Sequence, residues 1–463
     1  MSMQVDYAII GAGPTGLGAA RRLAELGVSN FIVLEKNAHP GGLAASFKDR
    51  QGYTWDIGGH VVFSHFTYFD QLLDELLGQD QLKHERRAYI RARGAWVPYP
   101  FQNNIRHLPR PARWECVAGL LPGRRPEKPP QNFHEWIHCV FGEGIGNVFL
   151  WPYNFKVWAI PPERMSASWV GERISIVGLE GVLKNIILEL DEVAWGPNNA
   201  FIFPASGGTG EIFRRMAAPL SAHVRYGDAV ASIDAAHKTL TTASGERIAY
   251  GALLSTGPLD LLVREQLLGP PDHCVDAAAL LKHNGVHVAG VGVAERPLFE
   301  GERDRRCWMY FPEDDCPFYR VTNFHNYAPA NVPAGPNGAD GPERAAFLCE
   351  TSFSGHKPED LSTLMERTIT GLGNVGLLTA EARERIESRF ELSVDYGYPV
   401  PCLERDLALR TIQPWLEARH IYSRGRFGGW KYEVGNMDHS VMQGVEWAER
   451  MVLKHLEKIY TWT

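Results

Sequence analysis

The stretch that most constrains the fold lies at the start of the chain. Tyr7 to Ile10 is a short apolar run, Gly11-Ala12-Gly13-Pro14-Thr15-Gly16 breaks it, and Ala20, Leu23 and Ala24 then share one helical face until Gly27. A second apolar run, Phe31 to Leu34, ends at Glu35, 24 residues after Gly11. Strand, tight turn, helix and strand make a βαβ opening, which commits the chain to a parallel sheet covered by helices. Each glycine has a task in this pattern. Gly11 permits the turn, Gly13 lets backbone approach a pyrophosphate, and Gly16 lets helix and strand pack closely. The helix N-terminus offers free N–H groups to the anion, and Glu35 is placed to accept hydrogen bonds from an adenosine ribose. An acid at this position disfavours a 2′-phosphate. FAD and NAD both use this fingerprint, so the motif alone leaves the choice open.

Composition narrows the class. A chain of 463 residues with 44% hydrophobic content suits about three domain-sized units with a sizeable core. A net charge of -7 provides no global field for nucleic acid or an anionic membrane, so neither is expected as a partner. The seven cysteines include no C-x-x-C pair, a reduced pattern without a disulfide framework or a metal site. The start carries no signal-peptide pattern, and no apolar run reaches the ~18 residues of a membrane span. A soluble cytoplasmic protein is expected.

Further along, Phe69, Leu72, Leu73, Leu76 and Leu77 recur at helical spacing and Gly78 closes the helix. Prolines cluster between Pro109 and Pro130 and read as a boundary. Phe133, Trp136, Ile137, Val140 and Phe141 then mark an amphipathic helix. Val286 to Val293 reads as a strand, and Ala328 to Pro342, rich in Ala, Pro, Gly and Asn, as a surface loop.

Two glycine pairs follow the opening unit, in Pro40-Gly41-Gly42-Leu43-Ala44 and Asp56-Ile57-Gly58-Gly59-His60. Such pairs suit backbone lying flat against a flavin and equally suit ordinary turns. With Gly207-Gly208-Thr209-Gly210, these strings resemble the FAD-dependent superfamily of amine oxidases, protoporphyrinogen oxidase and UDP-galactopyranose mutase. Longer strings single out the last, in its eukaryotic type. They include Gly58 to His65, Trp96 to Asn104, Pro152 to Trp158, Phe311 to Asp314, Pro317 to Arg320, Gly397 to Pro399 and Ser423 to Gly428, collinear from about residue 5 to 450.

The resemblance implies an α/β fold: a Rossmann-like FAD-binding domain (1–85, 204–260 and 400–463), an inserted helical domain (104–195), and an antiparallel β-sheet domain (86–103 and 261–399). It also implies an isomerase that interconverts UDP-galactopyranose and UDP-galactofuranose with no net redox change. In that family the N5 atom of reduced FAD attacks the anomeric carbon, displaces UDP and forms a covalent adduct with the sugar. NADPH is the implied reductant. The departing diphosphate calls for Arg, with its planar fork of donors. Arg173 and Arg320 match the family's diphosphate arginines, and Tyr310, Tyr398 and Tyr432 its diphosphate tyrosines. Tyr99 matches the residue that stacks on uracil, and Gln102 is suited to read a base edge. Asn154 and Trp158, four apart on one helix face, match positions near the ribose. Asn198, Trp308 and Asn436 match positions beside galactose. Gly11, Gly13, Gly16, Glu35, Gly42, Gly59 and Gly208 are the implied FAD contacts. His60 matches a mobile-loop histidine beside the flavin, where an ordinary pKa of about 6.5 would suit redox-linked protonation. Arg86 and Arg426 match cations near the flavin. The match sets no oligomeric state.

Departures from the pattern keep two alternatives in view. Fungal relatives carry Gln at Met437, whose thioether cannot donate a hydrogen bond, so another NDP-sugar, a pentopyranose or deoxyhexose, is a possible substrate. A flavin oxidase of amines or porphyrinogens would share the fold but need an apolar cavity instead of a diphosphate clamp.

Overall fold

The structure, a computed structural model, describes residues 3–122, 128–193, 200–294, 305–334 and 344–462. The opening unit forms as its pattern requires. Strand Met3–Ile10 pairs in parallel with Phe31–Glu35 on one side and with Arg247–Ser255 on the other. Helix Pro14–Glu25 connects the first two strands. All five residues of Phe31–Glu35 are buried, which is why the strand reads as a continuous apolar run instead of an alternating one. Val224–Tyr226 extends the sheet at one edge and Ile421–Ser423 adds to Arg247–Ser255, both in parallel, while Thr239–Thr242 and Val230–Asp234 continue it antiparallel.

Alternation along these strands divides two cores. Ile9 and Val33 face helix Pro14–Glu25 and the C-terminal helix Met437–Leu453. Ala8, Ile32 and Leu34 face helices Asp272–Leu280 and Arg405–Glu417. The two helices on the first face touch backbone to backbone: a Cβ on Gly444 would lie 2.0 Å from the carbonyl oxygen of Thr15.

A second seven-stranded sheet runs in the order Ile386–Val400, Lys282–Val293, Ala345–Phe353, Arg320–Asn323, Trp308–Tyr310, Ala88–Ala92 and Ala95–Pro98. It is antiparallel except where Trp308–Tyr310 joins Ala88–Ala92. One face shares a core with the helical segments: Ile90, Val288 and Leu348 pack in the same cluster as Phe133, Ile137, Phe141 and Val182. Helix Phe133–Ile145 starts at Asn132, whose side chain accepts a hydrogen bond from the N–H of Glu135.

The three-unit division above is a proposal, and packing refines one of its limits. Leu262, Ala277 and Leu281, expected with the antiparallel sheet, lie in the core under the parallel sheet. The expected surface loop is only partly at the surface where it is described: Pro329, Ala330 and Ala334 are exposed. Ala328 and Asn331 are buried, and Asn331 Nδ2 donates to the Phe324 carbonyl at 2.9 Å. Small and turn-forming residues there signal a tight turn, Pro329–Asn331, and that signal carries no information about exposure. Residues 335–342 of that loop lie outside the described residues. Among the described residues no helix is long and apolar enough to cross a membrane.

Candidate active site

A cavity of about 1390 Å³ begins at the first βα turn and ends between the two sheets and the helical segments. Nearly every residue nominated from sequence lines it. Asn198 lies outside the described residues, and Gly16 and Gly208 are the two that do not line the cavity. Both serve as packing positions instead. A Cβ on Gly16 would fall 1.8 Å from the Gly11 carbonyl oxygen, and one on Gly208 would fall 2.4 Å from Asp56 Oδ1. They shape the cradle from behind.

At the turn, Gly11 has φ +99, and a Cβ there would lie 2.3 Å from Thr256 Oγ1. Gly13 starts helix Pro14–Glu25 with no side-chain cap and no acid in the first turn, so the free N–H groups face the cavity. Gly42, with φ +53, sits opposite Gly13. Glu35 is buried, and its two carboxylate oxygens accept from Ala12 N at 2.7 Å and Asn37 N at 2.8 Å. Each oxygen keeps a lone pair for a ribose hydroxyl. Helix Met437–Leu453 also begins at the cavity, and Asn436 makes no side-chain cap there. Two uncapped helix N-termini, a glycine-lined channel and an anchored carboxylate fit an adenine dinucleotide such as FAD.

The other end is built from side chains. Arg86 lies over the Tyr99 ring at 4.5 Å and over Trp308 at 5.2 Å, and Arg320 lies over Trp308 at 5.0 Å. Arg173 covers Tyr432 at 4.6 Å and donates to the Glu433 carbonyl at 2.6 Å. Arg426 covers Tyr398 at 4.8 Å and donates to the carbonyls of Gly435 and Gly397. Aromatic faces and peptide carbonyls thus hold the guanidinium groups in place without neutralising them. Among the described residues, no carboxylate lies within ion-pair distance of Arg86, Arg173 or Arg426.

Arg320 is the exception, and its partner Glu350 is a residue the sequence reading missed. Arg320 Nε and Nη2 each donate to one oxygen of Glu350 at 2.7 Å. The same carboxylate accepts from Gly59 N at 2.9 Å and from the Tyr319 hydroxyl at 2.8 Å. Burial alone would raise its pKa, but Arg320 and these donors outweigh burial and hold it below the ordinary carboxylate value. Its signal was a lone acid in Ala345–Phe353, a strand otherwise apolar or neutral.

The base-binding candidates sit deeper among the helical segments. Gln102 is buried and its Nε2 donates to the Ser175 carbonyl, which leaves Oε1 to read a ligand. Asn154 and Trp158 share a face of helix Trp151–Trp158 as expected, and Trp158 Nε1 donates to Asn154 Oδ1 at 3.2 Å. Trp158 also meets Tyr432 edge-on at 4.8 Å and Tyr398 at 5.7 Å, so it is a wall that positions both tyrosines. Trp308 Nε1 donates to the Gly59 carbonyl at 3.1 Å and joins strand Trp308–Tyr310 to the glycine loop.

His60 corrects an expectation. Its Nδ1 is buried with no hydrogen-bond partner, and burial, helped by Arg320 and Arg426, pushes its pKa down to about 4. This surrounding favours the neutral imidazole, against the expected ordinary value.

The profile of the Flavin containing amine oxidoreductase family matches residues 14–297. A 15-cis-phytoene desaturase of Glycine max is 34% identical over 86 residues, 19% of this chain and 15% of that protein. That alignment is confined to a small part of the relative. The FAD-dependent oxidoreductase dpchF of Colletotrichum higginsianum is 23% identical over 428 residues, 84% of this chain and 81% of its own. Cyclohexylamine oxidase from Brevibacterium oxydans superposes with a TM-score of 0.66 at 14% identity, covering 97% of this chain and 99% of its own, a likeness of fold alone. The crystal structure of a reduced UDP-galactopyranose mutase superposes with a TM-score of 0.93 at 43% identity, over 98% of this chain and 95% of that one. With the dinucleotide cradle at one end of the cavity and the arginine cluster at the other, the chain belongs to the flavin-containing amine oxidoreductase family and, within that fold, to the UDP-galactopyranose mutases.

Proposed function

We propose that this protein interconverts UDP-galactopyranose and UDP-galactofuranose. The observation that carries the reading is the cluster of cavity-facing guanidinium groups. Arg86, Arg173 and Arg426 have no carboxylate partner among the described residues, and Arg320 keeps its Nη1 free of any partner there. Enclosing that much unpaired positive charge is costly unless a ligand supplies the anion, and a diphosphate matches both the charge and the fork geometry. An amine substrate would be repelled and an apolar one would gain nothing.

The residues then divide the work. Gly11, Gly13 and Glu35 hold the adenosine end of FAD, and Gly42, Gly59 and the start of helix Met437–Leu453 hold its flavin end. Bound reduced flavin supplies a nucleophile for the anomeric carbon. Arg173 and Arg320, with the hydroxyls of Tyr310, Tyr398 and Tyr432, stabilise the charge that grows on the diphosphate as its bond to the sugar breaks. Tyr99, Gln102, Asn154 and Trp158 hold the uridine, so that UDP stays in place to recapture the rearranged sugar. Trp308 and Asn436 border the sugar. Neutral His60 can accept or donate one hydrogen bond beside the flavin without adding charge.

NADPH as the electron source rests on the resemblance. A cytoplasmic location is supported by the seven free cysteines, six of them buried. A second reading is favoured by Met437, which lines the cavity beside Asn436 where an amide would read a sugar hydroxyl: another UDP-pyranose as substrate. The test is to incubate reduced enzyme with UDP-galactopyranose and with a panel of other UDP-pyranoses, and to separate the products by chromatography. A galactofuranose product is expected. Turnover of another sugar with none of galactose would replace the substrate, and oxygen consumption on amines without prior reduction would replace the reaction.

A further inference from the structure

The Glu350 carboxylate joins two parts of the cavity that the mutase reading treats separately. Glu350 and Arg320 are direct cross-strand partners, with Arg320–Asn323 paired antiparallel to Ala345–Phe353. Their side chains therefore leave the same face of the sheet, and the carboxylate meets the guanidinium edge-on through Nε and Nη2. That edge is used up. The opposite edge, Nη1, faces the cavity with no partner among the described residues.

The carboxylate also reaches into the glycine loop. Gly59 is held on both sides of its residue, its N–H by Glu350 at 2.9 Å and its carbonyl by Trp308 Nε1 at 3.1 Å. Gly58 has φ +106, and a Cβ there would lie 3.1 Å from Glu350 Oε2, so the loop can approach the carboxylate only as glycine. Gly59 is followed by His60, whose ring has an unpartnered buried nitrogen. Tyr319 closes the network, donating to Glu350 while its oxygen lies 3.3 Å from the Tyr398 hydroxyl. One buried anion thus touches the diphosphate clamp through Arg320, the flavin loop through Gly59, and the tyrosine pair through Tyr319.

We propose that Glu350 is a positioning residue that couples the diphosphate clamp to the Gly58-Gly59-His60 loop, so that occupancy of the clamp and the redox state of the flavin beside the loop influence each other. This rests on the mutase reading for the identity of the two ligands. A ligand that pulls on the Nη1 edge of Arg320 shifts the pair and, through the shared carboxylate, the Gly59 peptide. Linkage then requires reciprocity: if UDP binding depends on flavin redox state, UDP must shift the flavin potential by the same free energy.

The test compares wild type with Glu350→Gln and Glu350→Asp, each FAD-loaded as judged by flavin absorbance. UDP affinity is measured for the oxidised and reduced forms, and the flavin midpoint potential with and without UDP. In wild type, the two UDP affinities are expected to differ at least about 5-fold, within the usual range of coupling between sites. In Glu350→Gln the ratio should collapse to within about 2-fold, and the UDP-induced potential shift should vanish with it. The resting potential of Glu350→Gln should also move positive, because a buried negative charge near an electron acceptor has gone. Glu350→Asp keeps the charge but is one methylene too short to hold Arg320 and Gly59 together. It should lose the coupling while keeping the wild-type resting potential.

If Glu350→Gln does not retain FAD, Tyr319→Phe removes one donor from the same carboxylate and should weaken the coupling in the same direction. Coupling that stays at its wild-type ratio in Glu350→Gln, or in Tyr319→Phe where that variant is used, overturns the proposal. So does wild type in which the two affinities are equal. These readouts need only UDP and the flavin, so they stand apart from whether UDP-galactopyranose is turned over.

Discussion

The two ends of the cavity, in the proposed reading, are built to meet phosphate in different ways. At the dinucleotide end the ligand is met by backbone: the turn at Gly11, the uncapped helix start at Gly13, and peptide N–H groups that fix Glu35, all within residues 11–37. At the far end it is met by side chains. Arg86, Arg173, Arg320 and Arg426 come from four distant segments and are oriented by Tyr99, Tyr432, Trp308 and Tyr398. The difference teaches where charge has to be movable. In the proposed reading, a permanently held cofactor meets fixed peptide dipoles, whereas a leaving group that departs and returns meets cations of which three, Arg86, Arg173 and Arg426, rest on aromatic faces and one, Arg320, is braced by Glu350.

That contrast can be broken most severely at the arginines. Arg320→Ala or Arg173→Ala should each remove about 2 to 4 kcal/mol of transition-state stabilisation, or about 30- to 900-fold in kcat/KM, with FAD content unchanged. Steady-state kinetics of the reduced enzyme measure this, and wild-type turnover in both variants would remove the clamp. Glu35→Ala tests the other end, with a smaller effect of the opposite kind. FAD affinity should fall about 10- to 100-fold, the range for hydrogen bonds to a charged group, while kcat at saturating FAD changes little. Titration of apoenzyme with FAD decides it.

His60 lies between the two ends and gives a pH signature. Its folded pKa of about 4 lies below the ordinary value of about 6.5, so the unfolded chain binds more protons in that window. Stability from this group is therefore complete above about pH 6.5 and is lost as pH falls towards 4. Between pH 7 and pH 4.5, wild type should lose roughly 2 kcal/mol more than His60→Gln by denaturant unfolding. The smallest expected change is Met437→Gln. It should alter kcat/KM for UDP-galactopyranose by no more than about 3-fold, less than one neutral hydrogen bond. A shift of preference from another UDP-sugar towards galactose would mark Met437 as a specificity residue.

How legible each feature was follows from how local its physics is. The βαβ unit could be read because strand, turn and helix are each determined by neighbours in sequence, and Gly78 closed its helix with φ +52 for the same reason. Gly16 and Gly208 were legible as glycines that the backbone needs, yet their Cβ positions point into packing, not into the cavity. Ala328 and Asn331 looked like surface because small and polar residues usually lie there, whereas both are buried here, with Asn331 Nδ2 donating to the Phe324 carbonyl. Glu350 was invisible as a site residue, since nothing within several residues of it says that strand Arg320–Asn323 will pair beside it. His60 was legible as a residue but not in its charge state, because a pKa depends on the surroundings that folding encloses.

Sequence alone thus determined the dinucleotide cradle, the division into parallel and antiparallel sheets, and, through its ordered motifs, the family. Only the tertiary structure decided which cations stay unpaired, which one is tied to Glu350, and that His60 is held neutral. The first group depends on backbone geometry that a short window of residues fixes. The second depends on distances between groups hundreds of positions apart, and electrostatic energies are set by those distances and by the exclusion of water around them.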